Sequence, residues 1–219
     1  MTSVGDKPRH RYVVVEGPIG VGKTSLARRL GAHWDAELML EGAEANPFLE
    51  RFYQDPKGAA LPTQLFFLYQ RARQIQQMRQ SDLFQPSLRI ADFLLDKDRL
   101  FAEINLDEAE LDLYRQAWSH LSLDVPEPDL VVYLQAPVDI LMERIRRRGI
   151  EYEQRITPDY LEELVEAYTR FFHHYDRAPL LIVNASDINP VDRDEDFELL
   201  VSQLQRVTSG RHYFNPGPI

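Results

Sequence analysis

Short apolar runs and longer stripes of helical period follow one another along the chain. Tyr12–Val15 and Leu130–Leu134 are apolar runs of the length of a buried strand, whereas Leu61–Met78 carries apolar residues at helical spacing. Strands that alternate with helices predict a mainly parallel sheet with helices on both faces. The predicted strands are 12–15, 37–41, 88–92, 130–134 and 180–183, and the predicted helices begin near residues 25 and 46 and then cover 61–78, 96–104, 108–121, 138–148, 161–172 and 197–207.

Two of these helices allow a more detailed prediction. In the second, Asn46 is expected to be the N-cap and Pro47 the first helical residue, because proline lacks an amide hydrogen that this position would leave unpaired. In the third, an apolar stripe predicts the side that faces the core. That stripe contains Leu65, Leu68, Tyr69, Ala72 and Ile75.

Length and composition are those of one globular domain of 219 residues. The absence of cysteine excludes disulfides and thiolate metal sites, and a net charge of -10 argues against a surface that coats nucleic acid. No apolar run approaches the roughly 20 residues that span a bilayer, and Met1–Arg11 lacks the apolar core of a secretory signal. These features predict a cytoplasmic protein without a membrane or nucleic-acid partner.

The residues after the first predicted strand match the pattern G-x-x-x-x-G-K-[ST] of a phosphate-binding loop. Its glycines let successive backbone amides point at phosphate oxygens, and the positive end of the following helix adds to the attraction. Lys23 is expected to reach the β- and γ-phosphates, and the Thr24 hydroxyl is the expected Mg²⁺ ligand. The predicted nucleotide-binding residues are Gly17, Pro18, Ile19, Gly20, Val21, Gly22, Lys23, Thr24 and Ser25.

Ligands of a parallel sheet bind beyond the carboxyl ends of its strands, which selects the residues just after each predicted strand. Glu41 and Asp92 lie at such positions. A carboxylate at Glu41 could accept the proton of an attacking hydroxyl or orient it. A solvated loop glutamate is the alternative, and Glu44 is a rival for the same role, so spacing leaves the choice open.

Gln64 and Arg71 are seven residues apart on the third predicted helix. They are nearly superposed on one face, off the apolar stripe, and about 10 Å apart along the axis. Their side chains could converge on one planar polar ligand. A face turned to solvent explains the same spacing, and the residues by themselves favour that interpretation.

Four arginines occupy the five positions from Arg144 to Arg148 in a chain that is acidic overall. Arg144 and Arg148 are one helical turn apart and can share a face. Gly149 is a candidate C-cap, and the chain around residues 144–156 could close as a lid. Lid arginines neutralise charge on a transferring phosphoryl group, and closure excludes water. Basic residues that complement the dipole at a helix end are the alternative.

With these residues in view, the chain resembles the deoxynucleoside kinase family from about Tyr12 to Val183. Glu16–Lys23 is similar to the family's form of the phosphate loop, which many kinases share. Asn46–Pro56 is similar to the stretch after the second strand in bacterial purine-preferring members, and this match is the more discriminating one.

The resemblance implies phosphorylation of the 5′-hydroxyl of a deoxynucleoside by ATP and Mg²⁺, with purines preferred, in nucleotide salvage. It implies a three-layer P-loop kinase fold with a five-stranded parallel sheet, in a homodimer. The implied roles are general base for Glu41, contacts to the base edge for Gln64 and Arg71, contacts to the sugar 3′-hydroxyl for Tyr53 and Glu153, lid arginines for Arg144 and Arg148, and Mg²⁺ binding for Asp92.

One departure from the family concerns the end of the third predicted strand. The family usually has an acidic residue, then Arg, then Ser, whereas this chain has Asp92 followed by Phe93. In the motif the arginine steadies the base and phosphates, so that role is vacant, with Arg99 or a lid arginine as candidate replacements. Lys97 falls where some relatives carry a base-reading aspartate, which leaves the preferred nucleobase open.

Two other functions compete with deoxynucleoside phosphorylation. A nucleoside monophosphate kinase similar to thymidylate kinases would want a basic clamp near the third strand, and the missing arginine argues against it. A nucleotide-binding regulator without phosphoryl transfer is supported by the same missing arginine. The presence of Lys23, Thr24 and a candidate base argues against that regulator.

Overall fold

A computed structural model describes residues 9–82, 87–121 and 125–215. In this part of the chain, six strands form one parallel sheet in the order β2-β3-β1-β4-β5-β6. The implied number of five strands is wrong, because β6 pairs with β5 at the edge of the sheet. The strands are β1 (Tyr12–Glu16), β2 (Glu37–Met39), β3 (Arg89–Ala91), β4 (Leu130–Gln135), β5 (Leu180–Asn184) and β6 (Arg211–Phe214).

The sequence pattern missed β6 because this strand has no buried residue. Its burial pattern is three exposed residues and one half-buried residue, and Tyr213 is 72% exposed. An edge strand of this kind carries no apolar run. Its pairing with β5 is therefore a property of the folded chain.

The α-helices of the described residues agree with the predicted ones in number and order. The second begins at Leu49, so the prediction of Asn46 as N-cap and Pro47 as first helical residue is wrong. Asn46 instead accepts a hydrogen bond from the amide of Phe48 at 3.0 Å, which closes a turn before the helix. The helices are α1 (Lys23–Trp34), α2 (Leu49–Gln54), α3 (Pro56–Asp82), α4 (Lys97–Asn105), α5 (Glu108–His120), α6 (Val138–Arg148), α7 (Pro158–His174) and α8 (Asp194–Arg206), with 3-10 turns at Ala43–Ala45 and Tyr152–Arg155.

The apolar core lies on both faces of the sheet, as the alternation of strands and helices predicts. Val13–Val15 in β1 are fully buried, and Leu130–Leu134 in β4 are at most 2% exposed. A second, smaller apolar cluster joins α2, α3, α4 and α5. Of these helices, α3 and α4 carry charged side chains that reach Glu41, just after β2.

The predicted core stripe of α3 is confirmed at Leu68 and Ile75, which are at most 3% exposed, but the buried face of the helix is wider than predicted. Tyr69, placed on the core stripe, is 54% exposed, whereas Gln64 and Arg71, for which a solvated face was favoured, are 3% and 2% exposed. Burial of a charged side chain is tolerated only when it is paired, and Arg71 has two carboxylate partners. Apolar periodicity alone misses a helix face that is buried by such pairing.

No helix within the described ranges is long and apolar enough to cross a membrane. The segment Met1–Arg11, considered above as a signal, lies mostly outside the described residues.

Candidate active site

The phosphate loop lies between the carboxyl end of β1 and the first turn of α1. Gly17 and Gly20 have φ angles of 149° and 86°, which other residues rarely adopt. A Cβ atom at Gly17 would lie 2.5 Å from the carbonyl oxygen of Leu134 in β4. Glycine therefore lets the loop curl tightly against the sheet at the N-terminus of α1, where an anion is favoured.

The side chain of Lys23 folds back over this loop. Its Nζ donates hydrogen bonds to the carbonyl oxygens of Gly17 and Pro18 at 2.8 and 3.2 Å. Burial and, next, the nearby ammonium group of Lys97 lower the pKa of Lys23 to about 8. A bound phosphate would give this ammonium group an anionic partner in place of two neutral carbonyls.

Asp92 joins three parts of the site. Its Oδ2 accepts a hydrogen bond from the Thr24 hydroxyl at 2.5 Å, and its Oδ1 accepts one from the backbone amide of Glu41 at 2.7 Å. Asp92 is 2% exposed, whereas Thr24 is exposed at the start of α1. One carboxylate thus ties the end of β3 both to the phosphate loop and to the segment after β2.

Glu41 is held between two cations. Its carboxylate is ion-paired with the guanidinium group of Arg71, and the ammonium group of Lys97 donates to its two oxygens at 3.0 and 3.1 Å. Burial alone would raise the pKa of Glu41, but Lys97 and Arg71 lower it to about 2. Glu44 is exposed on the adjacent 3-10 turn. The geometry therefore favours Glu41 over Glu44 as the carboxylate of the site.

Arg71 also binds Asp98 through its other terminal nitrogen. Burial raises the pKa of Asp98 to about 6 in spite of this ion pair. Gln64 lies two turns earlier on α3 and is buried too. The guanidinium group of Arg71 and the side-chain amide of Gln64 thus lie on the buried face of α3, and the carboxylate of Asp98 on α4 binds Arg71.

Tyr53 lies next to the 3-10 turn that carries Glu153. Tyr53, in α2, stacks on Tyr152 with ring centroids 5.8 Å apart and an angle of 11° between the planes. Glu153 is 8% exposed and is ion-paired with Arg148 at 2.5 Å. Burial raises the pKa of Tyr53, and the nearby groups of Tyr160, Glu153 and Glu41 add to the rise. Tyr53 therefore lies within electrostatic reach of both carboxylates.

The arginine-rich helix α6 lies beside the phosphate loop. It ends at Gly149, whose φ of 72° confirms the predicted C-cap. Arg144 donates to the carbonyl oxygens of Val21 at 3.2 Å and Ala185 at 2.7 Å. A cavity of about 580 Å³ is bounded by the loop, by arginines 144, 147 and 148, and by residues 185–193. This volume suits a nucleotide whose phosphates lie on the loop.

Comparison with known proteins identifies the family. The family model described as "Deoxynucleoside kinase" matches residues 13–209. The chain belongs to the deoxynucleoside kinase family. The predicted enzyme class and reaction, phosphorylation of a deoxynucleoside, are therefore confirmed.

Individual members of the family match over most of their length. A deoxyguanosine kinase of Bacillus subtilis is 32% identical over 200 residues, which are 90% of this chain and 94% of the relative. A deoxyadenosine kinase of Lactobacillus acidophilus is 28% identical over 193 residues, 82% and 87% of the two chains. The structure of a deoxyadenosine kinase from M. mycoides with bound dATP matches with a TM-score of 0.76 and 25% identity, and the match covers 89% of this kinase and 99% of that chain.

Two adjacent charged residues in the first turn of α4 contact Glu41 and Arg71. Lys97 was compared with a base-reading aspartate, but its ammonium group contacts Glu41. The aspartate that pairs with Arg71 is Asp98, one residue later.

Glu16 is a site residue that sequence reasoning left without a role. It ends β1 and is 1% exposed. Its Oε1 accepts hydrogen bonds from the Gly17 amide at 2.9 Å and the Tyr168 hydroxyl at 3.0 Å, and its Oε2 accepts one from the Leu94 amide at 2.8 Å. Its position at the end of an apolar strand could have identified Glu16 from the sequence, because a buried carboxylate requires hydrogen-bond donors around it.

The structure places the candidate replacements for the missing arginine in other contacts. The guanidinium group of Arg99 lies 4.8 Å from the ring centroid of Trp118. Arg144 is bound to backbone carbonyls, and Arg148 to Glu153. Phe93, which occupies the arginine's position, is 1% exposed and packs under Arg71.

Proposed function

We propose that this kinase transfers the γ-phosphoryl group of ATP to the 5′-hydroxyl of a deoxynucleoside, with purines preferred, and that it uses Mg²⁺. The observation that carries the proposal is the link that Asp92 makes between Glu41 and Thr24 of the phosphate loop. A proton acceptor and a phosphate-binding site are thereby held together at one sheet edge. The kinases of B. subtilis and L. acidophilus support the preference for purines.

ATP is proposed to occupy the cavity beside α6. Its phosphates would lie on Gly17–Ser25, with Lys23 on the β- and γ-phosphates. The nucleoside part would lie against residues 185–193, which form the opposite wall of the cavity. Arg144 and Arg148 would close over the phosphates as part of a lid at about residues 144–156.

The side chains of Thr24 and Asp92 fit a magnesium ion. They bring a hydroxyl and a carboxylate oxygen to within 2.5 Å of each other, next to the phosphate loop. Mg²⁺ takes oxygen ligands, usually one or two from the protein and the rest from phosphates and water. Within the described ranges, no group of three or more His, Cys, Asp or Glu could hold a metal alone. When bound, the ion would neutralise negative charge on the phosphates.

The deoxynucleoside is proposed to lie between α3 and the turn after α6. Gln64 and Arg71 would contact the edge of the base, since Arg71 is held rigidly by Asp98 and presents a planar fork. Tyr53 and Glu153 would hold the 3′-hydroxyl of the sugar. Their electrostatic proximity to each other supports this pairing.

Phosphoryl transfer then requires Glu41 to orient the 5′-hydroxyl. The O5′–phosphorus bond forms, the bond from phosphorus to the β,γ-bridging oxygen breaks, and ADP leaves with the electron pair. The hydroxyl proton passes to Glu41. The low pKa of Glu41 keeps its carboxylate ionised at neutral pH, ready to accept a hydrogen bond from the hydroxyl.

A screen with radiolabelled ATP tests the proposal. Purified enzyme is given each common deoxynucleoside, the corresponding monophosphates, or no acceptor, with and without Mg²⁺. Transfer to deoxyadenosine or deoxyguanosine well above that of Lys23→Ala is the expected result. Transfer to a monophosphate only would show a nucleoside monophosphate kinase, and tight ATP binding without transfer would show a regulator.

A homodimer is part of the proposal. Tyr69 on α3 and Leu113 on α5 are 54% and 49% exposed, and such apolar side chains on neighbouring helices suit an interface. Light scattering after size-exclusion chromatography would show twice the mass of 25.5 kDa. Tyr69→Glu with Leu113→Glu should give the monomer, and a wild-type monomer would refute the dimer. The cytoplasmic location and the single domain stay predictions.

A further inference from the structure

We propose that Lys97 is a catalytic residue whose ammonium group binds the phosphoryl group during transfer. The inference rests on the proposed function, because it requires a hydroxyl at Glu41 and a triphosphate on the loop. Lys97 is 5% exposed at the first residue of α4. Burial of an ammonium group costs several kcal/mol of desolvation free energy unless anionic partners compensate. The partners of Lys97 therefore indicate which groups this position stabilises.

Two carboxylates face the ammonium group of Lys97. Its Nζ lies 3.0 and 3.1 Å from the two oxygens of Glu41 and 4.0 Å from Oε1 of Glu16. The same Glu16 oxygen accepts a hydrogen bond from the amide of Gly17 at 2.9 Å. Lys97 therefore lies between the candidate base and the first residue of the phosphate loop, where a γ-phosphate and a hydroxyl would meet.

The other cations around this point do not contact Glu41 alone: Lys23 and Arg144 are bound to backbone carbonyls, from which the proposed function moves them to the phosphates of ATP. Lys23 donates to loop carbonyls, and Arg144 to the carbonyls of Val21 and Ala185. Arg71 is shared between Glu41 and Asp98. Among these, Lys97 is the cation whose hydrogen bonds go only to Glu41, the group that the substrate hydroxyl must approach.

A hydroxyl that hydrogen bonds to Glu41 adds a donor to one of the two oxygens that Lys97 contacts, so it competes with the ammonium group for that oxygen. The flexible four-carbon stem of lysine lets its ammonium group turn away without movement of α4. The guanidinium group of Arg71 is fixed by its second carboxylate, so it stays. We therefore expect Lys97 to contact Glu41 in the free enzyme and a non-bridging phosphoryl oxygen in the transition state, where a preplaced positive charge is most effective. No bond to Lys97 forms or breaks.

Replacement of Lys97 by methionine keeps most of the side-chain volume and removes the charge. The kcat of Lys97→Met should fall about 10²- to 10³-fold, the usual effect of losing one such group. The KM values for ATP and deoxynucleoside should change by less than about threefold, because the contact forms in the transition state. Arg99→Met is the matched control, since it makes the same charge change two residues later over the ring of Trp118.

Binding of a transition-state analogue gives a readout without turnover. ADP, aluminium fluoride and a deoxynucleoside should form a tight ternary complex with wild type and Arg99→Met. Lys97→Met should bind ADP normally and lose at least about tenfold in affinity for the aluminium fluoride complex. A residue that only maintains the fold would weaken both, and its effect would appear in thermal stability.

Lys97→Gln keeps a hydrogen-bond donor toward Glu41 and removes the charge. If Lys97→Met does not fold, this variant tests whether phosphoryl transfer requires the charge. A folded Lys97→Met or Lys97→Gln enzyme with kcat within about threefold of wild type overturns the inference. Equal loss of ADP and aluminium fluoride binding also overturns it. A wild-type enzyme that phosphorylates no deoxynucleoside would instead refute the proposed function, and this is measured before any variant.

Discussion

The hydroxyl of Thr24 donates a hydrogen bond to the carboxylate of Asp92 at 2.5 Å, across 68 positions of sequence. Thr24 is in the first turn of α1, and Asp92 follows β3. β1, which leads into the phosphate loop, pairs directly with β3 in the sheet, so the two side chains meet at its carboxyl edge. This contact joins the donor side of the site to Glu41 on the acceptor side.

Asp92→Asn should therefore change the magnesium requirement of the enzyme. The substitution keeps a hydrogen-bond partner for Thr24 but removes the negative charge that attracts the ion. Activity at low Mg²⁺ should fall at least about tenfold, and excess Mg²⁺ should restore part of it. Titration of the rate with Mg²⁺ measures the effect. Asp112→Asn, an exposed change on α5, should leave the titration curve unchanged, and an unchanged curve for Asp92→Asn would contradict the assignment.

Glu41→Gln should lower kcat by roughly 10²- to 10⁴-fold, because it removes the proton acceptor. The affinity for ATP should change little, since the phosphate loop does not depend on this carboxylate. Steady-state kinetics and direct ATP binding separate the two effects. Glu44→Gln is the matched control on the adjacent turn. A larger loss in Glu44→Gln than in Glu41→Gln would move the base to Glu44.

The acid stability of the fold should depend on Glu41. Its pKa is about 2 in the folded protein against an ordinary 4.5, so the ionised carboxylate stabilises the folded state above pH 4.5, and this contribution disappears as the pH falls through 2. The contribution is on the order of 3 kcal/mol. Denaturation of wild type and Glu41→Gln from pH 7 to pH 2.5 should show a difference that shrinks toward acid. A constant difference would show that the pKa of Glu41 is not lowered.

Arg29 should hold residues 185–193 in place, which form the wall of the nucleotide cavity opposite the phosphate loop. Its Nη1 donates to the carbonyl oxygens of Pro190, Val191 and Arg193 at 3.1, 2.8 and 3.3 Å, and its guanidinium group lies 4.2 Å from the ring centroid of Phe197. Its loss releases the 185–193 wall from α1, the helix that begins at the phosphate loop.

Arg29→Met should therefore raise the KM for ATP about tenfold, which corresponds to roughly 1.4 kcal/mol of binding. The KM for the deoxynucleoside should stay near the wild-type value, because the acceptor lies on the other side of the loop. Initial rates with each substrate varied in turn measure both constants. Arg28→Met, an exposed neighbour on α1, is the control. An equal rise of both KM values would contradict a role limited to the donor.

Glu153→Gln tests recognition of the sugar. The kcat/KM for a deoxynucleoside should fall about tenfold, the effect of losing a charged hydrogen bond. A 2′,3′-dideoxynucleoside lacks the 3′-hydroxyl, so its already lower kcat/KM should not fall further. Glu151→Gln, exposed on the same segment, should affect neither substrate. Equal losses on both substrates would assign Glu153 to holding Arg148 instead.

Contiguous residues determined the features that depend on local conformation and on hydrophobic period. The phosphate loop could be predicted from the sequence because the strand, Gly17–Ser25 and the helix are adjacent in the chain. The bounds of α6 and its cap at Gly149 were predicted for the same reason, since helical period and capping act over one or two turns. The parallel sheet followed from the alternation of strands and helices.

The tertiary structure alone decided which polar side chains act together. Glu41 and Glu44 are equivalent in spacing, and only the ion pairs with Arg71 and Lys97 select Glu41. Those partners lie 30 and 56 positions away in sequence. A buried charge is stable only beside an opposite one, so its partner is set by how the strands and helices pack. Local patterns cannot contain that information. For this reason only the folded structure shows that Lys97 contacts Glu41 and that Asp98 pairs with Arg71.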